Sequence, residues 1–102
     1  MMLGFLKKLM GQSTDYKALV SEGAIIVDVR TPAEFQGGHI KGSINIPVDK
    51  IKSKTADLKS KGKPVITVCR SGSRSAMAKG ILQSAGIETY NGGPWNSLKA
   101  KI

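Results

Sequence analysis

Apolar residues along this chain fall into short runs and short stripes that alternate with polar turns. At the start, Met2, Phe5, Leu6, Leu9 and Met10 recur at i, i+3, i+4, i+7 and i+8, with Lys7 and Lys8 opposite, and Gly11 closes the pattern. This predicts an amphipathic helix or extension over 1–12 ahead of a domain over 13–102. The apolar face of that segment would dock on the protein's own core, with a partner or dimer contact and adsorption to a membrane surface as the alternatives. Because its charges follow its apolar residues and no cleavage site is evident, it does not read as a signal peptide. A capped helix is expected next, from Ser13 or Thr14 through Leu19 and Val20 to a stop at Gly23. Ala24 to Val29 is a short apolar run typical of a buried strand. Thr31-Pro32-Ala33-Glu34 has the form of a capping box with Pro at the first helical position, and Gly37-Gly38 ends that helix early.

Ser43 to Ile46 predicts a second strand, closed by Pro47, and a polar helix is expected over about 49–59. Val65-Ile66-Thr67-Val68-Cys69 is the strongest strand, almost entirely β-branched. A helix from Ser73 to Ser84 carries an apolar stripe of Ala78, Ile81, Leu82 and Ala85, with Gly86 as its stop. Ile87 to Tyr90 reads as the last strand and Gly92-Gly93-Pro94 as a turn. Trp95, Leu98 and Ile102 then mark one face of a final helix, with Trp95 as its core anchor. Alternating strands and helices predict an α/β fold with a central parallel sheet and helices on both faces. In such sheets, sites form beyond the carboxyl ends of the strands, which is where Cys69 falls.

Composition narrows the chemistry. The chain has 102 residues, enough for one core, and no apolar run of the length a membrane span needs. Its formal net charge of +9 favours anionic partners without choosing among them. The six lysines between Lys50 and Lys63 read as a solvated face. Of the 16 basic residues only three are Arg, and two of these, Arg70 and Arg74, lie within five positions of Cys69. Arg presents a rigid, permanently charged fork that suits oxyanions. A single Cys excludes an intrachain disulfide and a multi-cysteine metal site, so neither metal nor cofactor is expected.

Cys69-Arg70-Ser71-Gly72-Ser73-Arg74-Ser75 joins the best strand to a helix. A positive φ at Gly72 would curl the loop so that successive backbone N–H groups point inward as an anion nest, reinforced by the helix N-terminus. A thiol at the rim of that cup should ionise below the free-thiol value and act as a nucleophile.

With these residues in view, the sequence resembles the rhodanese family from about Thr14 to Ile102. Cys69-Arg70-Ser71-Gly72-Ser73-Arg74 is similar to its C-R-x-G-x-R loop. Asp28-Val29-Arg30-Thr31-Pro32-Ala33-Glu34-Phe35 is similar to its D-V-R-x-x-x-E-[FY] signature, and the run Gly38 to Pro47 to its G-H-I-x-G-A-x-N-I-P signature. Gly92-Gly93-Pro94-Trp95 resembles the closing G-G-x-x-x-W, with Trp95 two residues early.

The resemblance implies a rhodanese-like fold and a sulfurtransferase working through a Cys69 persulfide. A small anionic sulfur donor such as thiosulfate would charge it, and cyanide, a thiol or a protein acceptor would discharge it. By the same resemblance Cys69 is the nucleophile and sulfur carrier, and Arg70, Ser71, Gly72, Ser73 and Arg74 bind the donor and hold the persulfide. Asp28, Arg30 and His39 are expected to support the scaffold, with Asp28 and Arg30 pairing or bracing the loop. The reading places the protein in the cytoplasm, with no nucleic acid as partner and oligomeric state open. The nearest rival is a phosphatase or arsenate reductase of related architecture, which uses a loop one residue longer, C-x5-R. A non-catalytic sulfur-carrier or interaction module is the other alternative.

Overall fold

The computed structural model describes residues 14–102. The amphipathic segment 1–12 and the possible cap at Ser13 lie outside the described residues. Ten elements follow in order: α1 (Tyr16–Ser21), β1 (Ile25–Asp28), α2 (Pro32–Gln36), β2 (Ile44–Asn45), a 3-10 segment (Val48–Lys54), α3 (Thr55–Ser60), β3 (Val65–Cys69), α4 (Ser73–Ser84), β4 (Thr89–Pro94) and α5 (Trp95–Lys101). The four strands form one sheet in the order β2-β1-β3-β4, and every neighbouring pair is parallel. The fold is the expected α/β parallel sheet with helices on both faces.

Side-chain alternation along β3 explains the two layers. Val65 and Cys69 point to one face, where Ile51, Leu58, Ala78 and Leu82 from the 3-10 segment, α3 and α4 close the core. Ile66 and Val68 point to the other, against Leu98, Ile40, Trp95 and the half-buried Tyr16, Leu19 and Val20 of α1 and α5. All five β3 residues are buried, so this central strand needs apolar residues on both sides. Both capping-box bonds of α2 are present, with Pro32 at its start.

Several boundaries differ from the sequence reading, among them β1, which runs Ile25–Asp28 and not Ala24–Val29. The cap of α1 is Asp15, whose carboxylate accepts from the Ala18 N–H at 3.0 Å. The polar helix expected near 49–59 divides into a 3-10 segment and a short α-helix, each with one buried anchor, Ile51 and Leu58. β2 shortens to Ile44–Asn45.

Gly92-Gly93-Pro94 is strand rather than turn. β4 pairs Thr67 with Asn91 and Val68 with Gly93, so Gly92 is an extra residue in a β-bulge. A Cβ at Gly92 would lie 2.9 Å from Ile66 Cγ2 and 3.1 Å from the Thr67 carbonyl oxygen, so only glycine fits the bulge.

Candidate active site

The carboxyl ends of β3 and β4 and the start of α4 meet around Cys69. Gly72 takes φ +102°, the left-handed turn that brings the chain from β3 into α4. No side chain of the cap residue closes the N-terminus of α4. The sulfur does so instead: Cys69 Sγ accepts from the Gly72 N–H at 2.9 Å and from the Ser75 N–H at 3.4 Å. The thiol therefore sits on the floor beneath the loop, fully buried, and not at the rim of a cup.

Burial in itself pushes the thiol up. The Ser75 hydroxyl and the backbone N–H groups of Ser75, Gly72 and Ser71 outweigh it, and Cys69 ionises below the ordinary thiol value. The positive end of the α4 dipole acts in the same direction.

The two arginines of the loop have different surroundings. Arg74 grips Glu34 of α2 with both terminal nitrogens, at 2.8 and 3.1 Å. Glu34 also accepts from the Thr31 N–H at 3.0 Å. The Arg74 hydrogen bond, followed by that N–H, lowers the Glu34 carboxyl to about 2. Arg70, by contrast, is exposed and has no hydrogen bond or ion pair among the described residues. It lines a cavity of about 440 Å³ together with Arg30, Glu34, Gly38, Trp95 and Asn96. Ser71 and Ser73 are exposed, with their hydroxyls 3.3 Å apart.

Behind the loop, Asp28 and Arg30 form a buried ion pair at 2.7 Å. Arg30 also donates to the Gly38 carbonyl at 2.7 Å and lies over the Trp95 ring at 4.8 Å from its centroid. These bonds tie β1 to the segment after α2 and to α5; none runs to the loop itself. His39 is exposed at that segment, stacked on Phe35 at 3.7 Å, with Nδ1 2.7 Å from the Phe35 carbonyl oxygen. Trp95 packs against the second core cluster and also walls the cavity, so it is more than a core anchor.

Two residues of the site had no role in the sequence reading: Ser75, which entered it only as the end of the loop segment, and Asn91. Ser75 is buried on the inner face of α4, 3.4 Å from the sulfur. Its place in register with Ala78 and Leu82, a polar residue on an apolar stripe, was the available signal. Asn91 of β4 touches both Ser75 and Gly72, and nothing in the local sequence marks it. Among the described residues, no cluster of His, Cys, Asp and Glu could hold a metal ion.

The fold agrees with that of known structures. The Rhodanese-like domain profile matches residues 12–96, and the chain belongs to that family. It is 41% identical over 69 residues to the protein YqhL of Bacillus subtilis, a match covering 67% of this chain and 54% of that protein. It is 32% identical over 83 residues to the thiosulfate sulfurtransferase PspE of Escherichia coli, covering 80% of each. The chain thus spans about half the length of the first of these relatives and four-fifths of the second. Among solved structures, an E. coli rhodanese with anions superposes at a TM-score of 0.68 and 32% identity, over 74% of this chain and 91% of that one.

Proposed function

We propose that this protein is a sulfurtransferase that moves a sulfane sulfur from thiosulfate or a similar anionic donor to a thiophilic acceptor through a persulfide on Cys69. Family membership and relatives named as sulfurtransferases support a function of that general type. The observation that carries the specific reading is the Cys69 sulfur itself: the one thiol of the chain, fixed under a helix N-terminus by two backbone N–H groups and held below its ordinary acidity range.

In the first half-reaction the Cys69 thiolate attacks the outer sulfur of thiosulfate. The donor's S–S bond breaks, its electron pair leaves with sulfite, and Cys69 becomes a persulfide anion. An acceptor such as cyanide or a thiolate then attacks the outer sulfur, and the Cys69 thiolate returns with the electrons of the broken S–S bond. The loop from Arg70 to Arg74 holds the outer sulfur with its inward N–H groups. Arg70, exposed on the cavity wall and without a partner among the described residues, draws in the anionic donor. Arg74, occupied by Glu34, holds the loop against α2. Asp28, Arg30 and His39 serve the scaffold behind it.

The rival phosphoryl reading is disfavoured on two grounds. The spacing is C-x4-R, and both terminal nitrogens of Arg74 are turned to a carboxylate and away from any oxyanion in the loop. Thiocyanate formation from thiosulfate and cyanide tests the proposal. The parent turns over, and Cys69→Ser, nearly isosteric, loses activity by roughly a thousandfold or more while staying folded. Turnover by folded Cys69→Ser would overturn it.

A further inference from the structure

A side-chain amide stands behind the Cys69–Ser75 contact. Asn91 lies in β4 opposite Thr67, just before the bulge. Its Oδ1 accepts from the Ser75 hydroxyl at 2.6 Å and from the Gly93 N–H at 2.9 Å. Its Nδ2 donates to the Gly72 carbonyl at 3.2 Å. A fixed donor, Gly93 N–H, and a fixed acceptor, Gly72 C=O, thus face the two ends of the amide, and only one orientation satisfies both. The tyrosine hydroxyl of Tyr16 in α1 donates to the Asn91 carbonyl at 2.9 Å and steadies the backbone there.

A serine hydroxyl has one proton. At Ser75 the acceptor on Asn91 is 2.6 Å away and the sulfur 3.4 Å away, so the proton lies on the Asn91 side. The hydroxyl then turns a lone pair toward Cys69, which suits a thiol that donates and does not suit a thiolate that must accept.

We propose that Asn91 is a positioning residue of this site, which holds the Ser75 hydroxyl proton away from the Cys69 sulfur until the thiol ionises. It rests on Cys69 being the nucleophile. When the thiolate forms, the charge-assisted bond from Ser75 to sulfur competes with the bond to Asn91, and the proton swings across. Asn91 therefore limits how far the Ser75 hydroxyl can favour ionisation, while the N–H groups of Gly72 and Ser75 favour it without that restraint. Its effect keeps the thiol from becoming too acidic, and a less acidic thiol is the stronger nucleophile once ionised.

Other charges near the sulfur are accounted for. Arg74 on α4 is paired with Glu34 on α2, and Asp28 with Arg30 on β1. Arg70 follows the sulfur in the loop and is exposed. β4 sets Asn91, Gly93 and Pro94 alongside β3 at this level, none of them titratable. The 3-10 segment meets the same core with Ile51 and Val48.

The test is a double-mutant cycle on the pH dependence of Cys69 alkylation by a neutral reagent. Asn91→Ala frees the Ser75 hydroxyl to donate to the thiolate, and the inflection should fall by about half a unit to one unit. The loop keeps its Ala76 N–H bond to the Gly72 carbonyl, so it remains anchored. Asn91→Asp keeps an acceptor for Ser75 and adds negative charge, and should raise the inflection. In a Ser75→Ala background the Asn91→Ala shift should vanish. An equal Asn91→Ala shift in both backgrounds, or an upward one, overturns the proposal, since a merely structural Asn91 would act without Ser75. Sulfur uptake from thiosulfate by the parent is measured alongside. If the parent takes up sulfur and the cycle is flat, this inference fails and the sulfurtransferase reading stands; if the parent takes up none, that reading fails while the cycle still decides the role of Asn91.

Discussion

At the scale of single residues, the two arginines of one loop separate into different tasks by what they touch. Arg70 is exposed, lines the cavity and has no partner among the described residues, whereas Arg74 is spent on Glu34. A free charge acts on an incoming dianion through screened Coulomb attraction, of the order of 1 kcal/mol per unit charge at contact in water. Arg70→Ala should therefore raise the thiosulfate KM about five- to thirtyfold at low ionic strength, with kcat little changed. The defect should shrink toward parity as salt rises. Steady-state kinetics at low and high salt check this, and a KM unchanged at low salt would remove Arg70 from donor capture. Arg74 has no such freedom, because the Glu34 carboxylate already neutralises it.

At the scale of elements, the Arg74–Glu34 pair fastens α4 to α2, two helices that share no apolar core: α2 buries no residue. Glu34 titrates at about 2, below the 4.5 of a free glutamate, first because of its hydrogen bond to Arg74 and then because of the Thr31 N–H. A carboxylate whose folded value is depressed stabilises the fold fully above its unfolded value and loses that contribution as pH falls through its folded value. The difference in Tm between the parent and Glu34→Gln should thus be constant above about pH 5 and vanish near pH 2. A difference that stays constant down to that pH would show that the pair contributes nothing acid-labile.

Element by element, the sequence was legible where a local pattern and the tertiary demand coincide. α4 starts and ends where its stripe and Gly72 put it, β3 is the run of β-branched residues that it seemed, and the Thr31–Glu34 box caps α2. Legibility fails where the partner strand decides. Gly92-Gly93-Pro94 has turn composition, yet β3 alongside offers unpaired backbone groups as far as Cys69, and the chain stays in register by bulging. Asn45 shows the same limit: its Nδ2 donates to the carbonyls of Asp28 and Arg30, both at 2.9 Å, so a two-residue edge strand is held by a side chain. Asn91 was hidden because its meaning arises only when β4 and α4 are brought together, whereas Ser75 left one signal, a polar residue in register with an apolar stripe.

At the scale of the whole molecule, the order β2-β1-β3-β4 makes β3 a central strand, covered on both faces and paired on both edges. Its last residue is consequently held in a dry, rigid setting while the next three residues are loop, which is the combination a positioned nucleophile needs. The Asp28–Arg30 pair on the neighbouring strand end is buried and joined through the Nε and Nη2 of Arg30. No helix among the described residues is long and apolar enough to cross a membrane. The proposed function turns on whether Cys69 takes up a sulfur atom. The most direct measurement is the intact mass of the protein after brief exposure to thiosulfate and removal of the donor. A gain of one sulfur on the parent, absent in Cys69→Ser and removed by cyanide, is the predicted result. An unchanged mass in a folded parent whose thiol still alkylates would contradict the account.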